Sequence, residues 1–174
     1  MHVSTKGVGS RALSFQLRQA AQFYARELMS ERLCQTLDLE IVVKKNDKTF
    51  REAGLAEWLD QTPRPKEFRI IIAHQKKKDF QEYFKILAHE MVHVKQYAKD
   101  EMTSLIKVVK KGKVEQYWRG SSFALASKRR PVTRMKKVIT DDRGRDYYYQ
   151  PWEVEAFGLE VGLYNYYVEK YGDR

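Results

Sequence analysis

Cysteine is nearly missing from this chain: its 174 residues hold one, Cys34. That excludes an internal disulfide and a cysteine-rich zinc site. Lying in a helical pattern, Cys34 reads as a small buried apolar residue rather than a nucleophile. Histidine is scarce too, with only His2, His74, His89 and His93, and none beyond His93. No stretch approaches the roughly 18 apolar residues of a membrane span, and residues 1–10 lack the apolar run of a signal peptide. The expectation is a reducing, cytoplasmic location with no membrane partner. Acidic residues are in deficit, 23 against 33 Lys and Arg, for a formal charge of +10. Such a balance favours an acidic partner, nucleic acid or an acidic protein, although a basic surface also serves simply to keep a protein soluble. What is plentiful is apolar and aromatic: 43% hydrophobic and 13% aromatic residues exclude a disordered chain. The length suits one domain, 1–174, with a sizeable core.

The stretch that organises the rest is Leu87-Ala88-His89-Glu90-Met91-Val92-His93. Residues four apart share a helix face, so His89 and His93 can offer two imidazole nitrogens to one metal ion. Glu90 projects beside that ion, placed to take a proton from a water bound there. Average residue usage produces this pattern by accident in roughly one chain in a few hundred of this length. A surface helix that happens to carry two histidines is the bland alternative. Against it stands an apolar stripe at helical spacing, Phe80, Tyr83, Phe84, Leu87, Ala88, Met91, Val94 and Ala98. Asp79 is the expected N-cap.

Taken in order, residues 1–9 read as a loose polar N-terminus. Ser10 caps an expected helix running to about Leu37, with Leu13, Leu17, Ala20, Ala21, Tyr24 and Leu28 on one face. Leu39, Ile41 and Val43 alternate as a half-buried strand, and Asn46-Asp47-Lys48 marks a turn. Gly54–Leu59 is read as a strand paired with Glu67–Ala73, whose run Phe68-Arg69-Ile70-Ile71-Ile72-Ala73 suits a central position. His74 reads as a structural or solvated residue in a loop. After the motif helix, Leu105–Val109 fits a helix or a short strand, and Val114–Gly120 a strand with Trp118. Residues 119–146 form a basic hairpin or loop insertion, rich in Arg and Lys. Tyr147-Tyr148-Tyr149 leads to Pro151 at the first turn of a final helix, carrying Val154, Phe157, Val161, Tyr164 and Val168 and ending near Gly172.

A catalytic zinc needs three protein ligands and an open position. With no histidine after His93 and Cys34 alone upstream, the third ligand is expected to be a carboxylate. Pro151-Trp152-Glu153-Val154-Glu155-Ala156-Phe157 supplies two candidates about 200° apart around the helix, so both cannot serve. Glu153 is preferred and Glu155 held in reserve, and Ala156 is small enough to let two helices approach closely. An acid complementing the helix dipole is the alternative reading for either glutamate.

These residues resemble the zincin metallopeptidases, in the gluzincin arrangement of H-E-x-x-H followed by a later E-x-x-A helix. The nearer resemblance is to the small SprT-like proteins of bacteriophage genomes. It rests on His89 to Tyr97, Trp118-Arg119-Gly120, Pro151 to Ala156, Glu57-Trp58-Leu59-Asp60 and Arg64 to Phe68, and covers roughly residues 36–165. The resemblance implies an α+β fold, a minimal zincin-like domain with an N-terminal helix, a small mixed or antiparallel sheet, the active-site helix and a C-terminal helix carrying the third ligand. It implies one catalytic Zn2+ and, for a phage-encoded chain, the host cytoplasm. Phe157 stands where many gluzincins place an Asp or Asn that buttresses a ligand histidine.

The mechanism expected from this set has His89, His93 and Glu153 hold zinc, with Glu90 as general base for a zinc-activated water. Zinc brings such a water to a pKa of about 7. Tyr148 is a candidate oxyanion donor, Gln96 a candidate for orienting a ligand or the substrate, and Trp58 a substrate contact on an edge strand that pairs with an extended peptide. The substrate is then a protein or peptide. Two other classes fit the same residues: a basic nucleic-acid-associated module using 119–145, which includes a protease recruited to DNA, and an inactive zinc-binding structural protein.

Overall fold

A computed structural model describes residues 1–45, 53–60, 62, 64–74, 79–103, 117–118, 121–122 and 150–172. The fold is α+β. Among the described residues are four helices, α1 (Arg11–Leu28), α2 (Glu31–Gln35), α3 (Phe80–Ala98) and α4 (Pro151–Tyr171). The main sheet contains β1 (His2–Lys6), β2 (Asp38–Lys45), β3 (Gly54–Trp58) and β4 (Glu67–His74) in the order β1-β2-β4-β3. It is mixed: β1 and β4 each run parallel to β2, and β3 runs antiparallel to β4. Three short strands, β5 (Met102–Thr103), β6 (Tyr117–Trp118) and β7 (Ser121–Ser122), make a small antiparallel sheet. No helix among the described residues is long and apolar enough to cross a membrane.

Two expectations need correction. The N-terminus is not loose. Alternation puts Val3 into the core, in register with Leu39, so residues 2–6 extend the sheet beyond β2. Thr5 Oγ1 meets Ser14 Oγ of α1 at 2.6 Å, and Lys6 Nζ reaches Glu40 at 2.5 Å. Gly7 then turns the chain at φ +72°, where a Cβ would collide with the Val43 carbonyl. The helix from Ser10 also does not continue to Leu37. Met29 and Ser30 are extended, and Ser30 caps a new helix, its hydroxyl accepting from Leu33 N as Ser10 does from Leu13 N. The apolar face ends at Leu28, with polar Glu31 and Arg32 at its next positions, and the Ser30 side chain caps a new start there.

The hairpin of β3 and β4 pairs Gly54 with Ile72 and Trp58 with Phe68. Asp60 closes it, its carboxylate accepting from the backbone N–H of Lys66 at 3.0 Å and Glu67 at 3.3 Å. β4 is flanked on both sides, and Phe68, Ile70 and Ile72 face the helices while Ile71 and Ala73 are buried on the opposite face. His74 is its last residue, hydrogen-bonded to Tyr83 Oη of α3. The core joins Leu39 and Ile41 of the sheet to Leu17 and Tyr24 of α1 and Leu87 and Met91 of α3. α3 lies across the sheet, and α4 packs against it through Ala156, which is wholly buried. The turn at 46–48, the segment 105–109, most of 119–146 and Tyr147–Tyr149 lie outside the described residues.

Candidate metal centre

α3 starts after Asp79, which occupies the N-cap position with no side-chain cap hydrogen bond; its carbonyl accepts from Glu82 N instead. About three and four helical turns on, His89 and His93 stand on the flank that meets α4. Pro151 at the first position of α4 fixes the start of that helix, which sets Glu153 in its first turn, buried and facing the two imidazoles. Small Ala156 one turn later permits the close helix approach.

The ligand atoms converge. His89 Nε2 and His93 Nε2 lie 3.2 Å apart. Glu153 Oε2 is 3.3 Å from His89 Nε2, and Glu153 Oε1 is 3.5 Å from His93 Nε2. A tetrahedral ion with bonds of about 2.0–2.2 Å sets its ligand atoms about 3.3–3.6 Å apart, so the two nitrogens and the carboxylate lie close enough together to share one such ion. Among the described residues, His89, His93 and Glu153 form a group that could hold a metal ion.

The outward nitrogens support the same assignment. Gln96, fully buried, donates through Nε2 to the Trp152 carbonyl at 3.0 Å and to Glu155 Oε2 at 2.9 Å. Those two acceptors fix the carboxamide, so its Oε1 is the atom that meets His93 Nδ1 at 2.8 Å. His93 therefore carries a proton on Nδ1, and its Nε2 faces Glu153 and His89. His89 Nδ1 meets Glu160 Oε2 at 2.9 Å, which places a proton on that nitrogen as well. Two imidazoles held through Nδ1–H from outside, with both Nε2 atoms turned to one point, have the orientation that metal ligation requires, Nε2 giving up its proton to the metal.

The field at that point is negative. Burial opposes a charge on His89, yet hydrogen bonds to Glu153 and Glu160, with Glu90 nearby, overcome it and push the imidazole up to about 9. Burial opposes a charge on His93 as well, and Glu153 and Glu90 raise it nevertheless. Carboxylates that draw protons onto buried imidazoles draw a divalent cation to the same place.

Glu90 is buried on α3 under the edge strand β3. It fits there because Gly54 has no side chain: a Cβ at 54 would sit 2.5 Å from Ile86 Cγ2 and 2.6 Å from Glu90 Oε1. Trp58, at the far end of β3, packs on Tyr97 with ring centroids 4.6 Å apart. Burial, then Glu153 and Glu90, hold the Tyr97 phenol well above its ordinary range, so it remains a proton donor close to both carboxylates. Tyr148 lies outside the described residues. The reserve ligand Glu155 is committed elsewhere: its Oε1 takes Lys95 Nζ at 2.9 Å and its Oε2 takes Gln96.

Two contributors escape a linear reading. Tyr97 continues the α3 face one turn beyond His93, a spacing visible in the sequence. Glu160 follows Glu153 by seven residues, two turns along one face, and that spacing was the signal for it. Phe157 lies between them, its ring 4.6 Å from that of His89.

No protein-family model, curated protein or solved structure matches this chain. The reading of the site therefore stands on its chemistry.

Proposed function

We propose that this protein is a zinc-dependent peptidase, a minimal gluzincin-type zincin similar to the SprT-like proteins, acting on an extended protein or peptide segment. The observation that carries the reading is the meeting of two Nε2 atoms and one buried carboxylate within about 3.5 Å of each other, beside a second buried carboxylate, Glu90. A zinc ion held there supplies Lewis acidity and an acidified water near neutral pH.

The chain's own residues do the rest. The outer edge of β3, unpaired among the described residues, offers backbone N–H and C=O groups to an extended substrate, which then lies over α3. The Glu90 carboxylate, shielded from solvent under β3, takes the proton of the attacking water and passes it to the leaving amine. Tyr97 donates a hydrogen bond as the carbonyl oxygen gains charge. Trp58, exposed next to Tyr97, gives the substrate an apolar wall. Nucleic acid as a second partner finds its support in the +10 charge.

The test is cleavage of an unfolded protein such as casein by the purified full chain. Activity should vanish with a chelator, return with zinc, and fall about 10²–10⁴-fold in Glu90→Gln while one zinc per chain is retained. Protein that takes up no zinc, or a Glu90→Gln variant as active as wild type, would overturn the reading.

A further inference from the structure

We infer that Glu160 is the positioning residue for His89, so that α4 brings two carboxylates to the centre rather than one. This inference rests on the metal-dependent reading above and adds a role that the motif does not contain.

The two imidazoles are held in different ways. His93 is oriented from its own helix by Gln96, three residues on, a neutral amide locked by the Trp152 carbonyl and Glu155. His89 has no such neighbour. The residues one turn away on α3 are Lys85, Ile86, Val92 and His93, and none offers an acceptor for its Nδ1–H. The acceptor comes from α4. Glu153, Phe157 and Glu160 form one stripe along that helix and bracket the ring. Glu153 Oε2 faces Nε2 at 3.3 Å, the Phe157 ring lies against the flank, and Glu160 Oε2 holds Nδ1 at 2.9 Å. Rotating the imidazole by half a turn would set ring carbons against both carboxylates. Glu160 therefore selects the ring orientation that presents Nε2 inward.

Its effect is electrostatic as well as geometric. A carboxylate on the outer N–H of a ligand histidine raises that ligand's basicity, and loss of such a partner typically weakens metal binding by about 10–100-fold. Gln96 supplies an oxygen without a full charge, so the anionic support of the centre falls on the His89 side. Glu160 lies at the rim of the centre, with 24% of its side chain exposed.

The test uses the full chain and cobalt(II) as the probe ion, read by its visible ligand-field bands and by competition with a chelator of known affinity. Glu160→Ala should bind cobalt about 10–100-fold more weakly, with altered band positions. Glu160→Gln keeps an acceptor oxygen without the charge and should fall between Ala and wild type. Should Ala not fold, the isosteric Gln variant carries the test by its weakened binding. Equal affinity and spectrum in wild type and the folded variants would overturn the role of Glu160 and leave the metal centre standing. Wild-type protein that binds neither cobalt nor zinc would remove the metal reading, and this inference with it.

Discussion

Among the described residues, two clusters of charged side chains are built on opposite plans. On the outer face of the sheet, Lys6, Glu40, Arg69 and Glu57 run across all four strands with alternating sign. Glu40 takes Lys6 at 2.5 Å and Arg69 at 2.6 Å. Two acids meet two bases, and Lys6, Arg69 and Glu57 keep much of their surface in water. Between α3 and α4 the balance is lost. Glu90, Glu153, Glu155 and Glu160 gather with two histidines and Lys95, and Glu90, Glu153, His93 and Lys95 are buried. A balanced exposed ladder is an inexpensive way to cover a sheet face, while a buried excess of carboxylate raises the energy of the folded state. Such an excess, inside a chain of net charge +10, is what a cation site looks like before its cation is counted. Lys95 separates the excess into two parts. It neutralises Glu155 and Glu101, at 2.9 and 2.6 Å, and leaves Glu153 and Glu160 to the histidines.

If that division is right, the largest loss comes from Lys95→Met. It keeps the apolar stem but takes the ammonium from two part-buried carboxylates, and it should cost about 3 kcal/mol, the lower end for breaking a buried pair. Urea denaturation of the metal-free protein reads this directly. A shift under 1 kcal/mol would show that Lys95 is no more than another surface charge.

Next in size is the response to zinc. With free zinc at about 100 times its Kd, wild-type stability should rise by about 2.7 kcal/mol. Glu153→Ala should lose most of that gain while still folding, as followed by thermal denaturation with and without zinc. An undiminished zinc response in Glu153→Ala would move the site away from the two helices.

The smallest effect belongs to the outer ladder. Hydrogen bonds from Lys6 and then Arg69 hold Glu40 below the ordinary carboxylate range. A lowered folded-state pKa means stability that is complete above the unfolded value of about 4.3 and is lost as pH falls through the folded one. Glu40→Gln should therefore cost at most about 1 kcal/mol at pH 7, and the gap to wild type should close between pH 5 and 3. A gap that persisted below pH 3 would assign Glu40 a packing role instead.

Much of this architecture is written locally. The alternation of Leu39, Ile41 and Val43, the apolar run of β4 and the apolar stripe of α3 each specify an element by period. They also place His89 and His93 on one face, because four residues make about one helical turn. Counting histidines leads to a carboxylate as third ligand, and Pro151 with Ala156 points to the start of α4. The break at Met29–Ser30 was legible: the apolar face stops at Leu28, Glu31 and Arg32 take its next positions, and Ser30 is a capping residue. Strand β1 was missed because five mostly polar residues form a strand only when the open edge of β2 accepts their backbone hydrogen bonds.

The sequence by itself determined the donor types, their helical spacing and the chain's excess of positive charge, since these follow from residue identity and backbone period. Only the tertiary structure brought Glu153 beside the imidazoles while giving Glu155 to Lys95 and Gln96, set Glu160 against His89 from two turns away, and turned both imidazoles so that Nε2 faces inward. Those choices depend on the rotation of α4 against α3, set by the packing around Ala156 and by the bonds from Gln96 to the Trp152 carbonyl and Glu155. A relation between two helices about 60 residues apart in the chain is not carried by the period of either one.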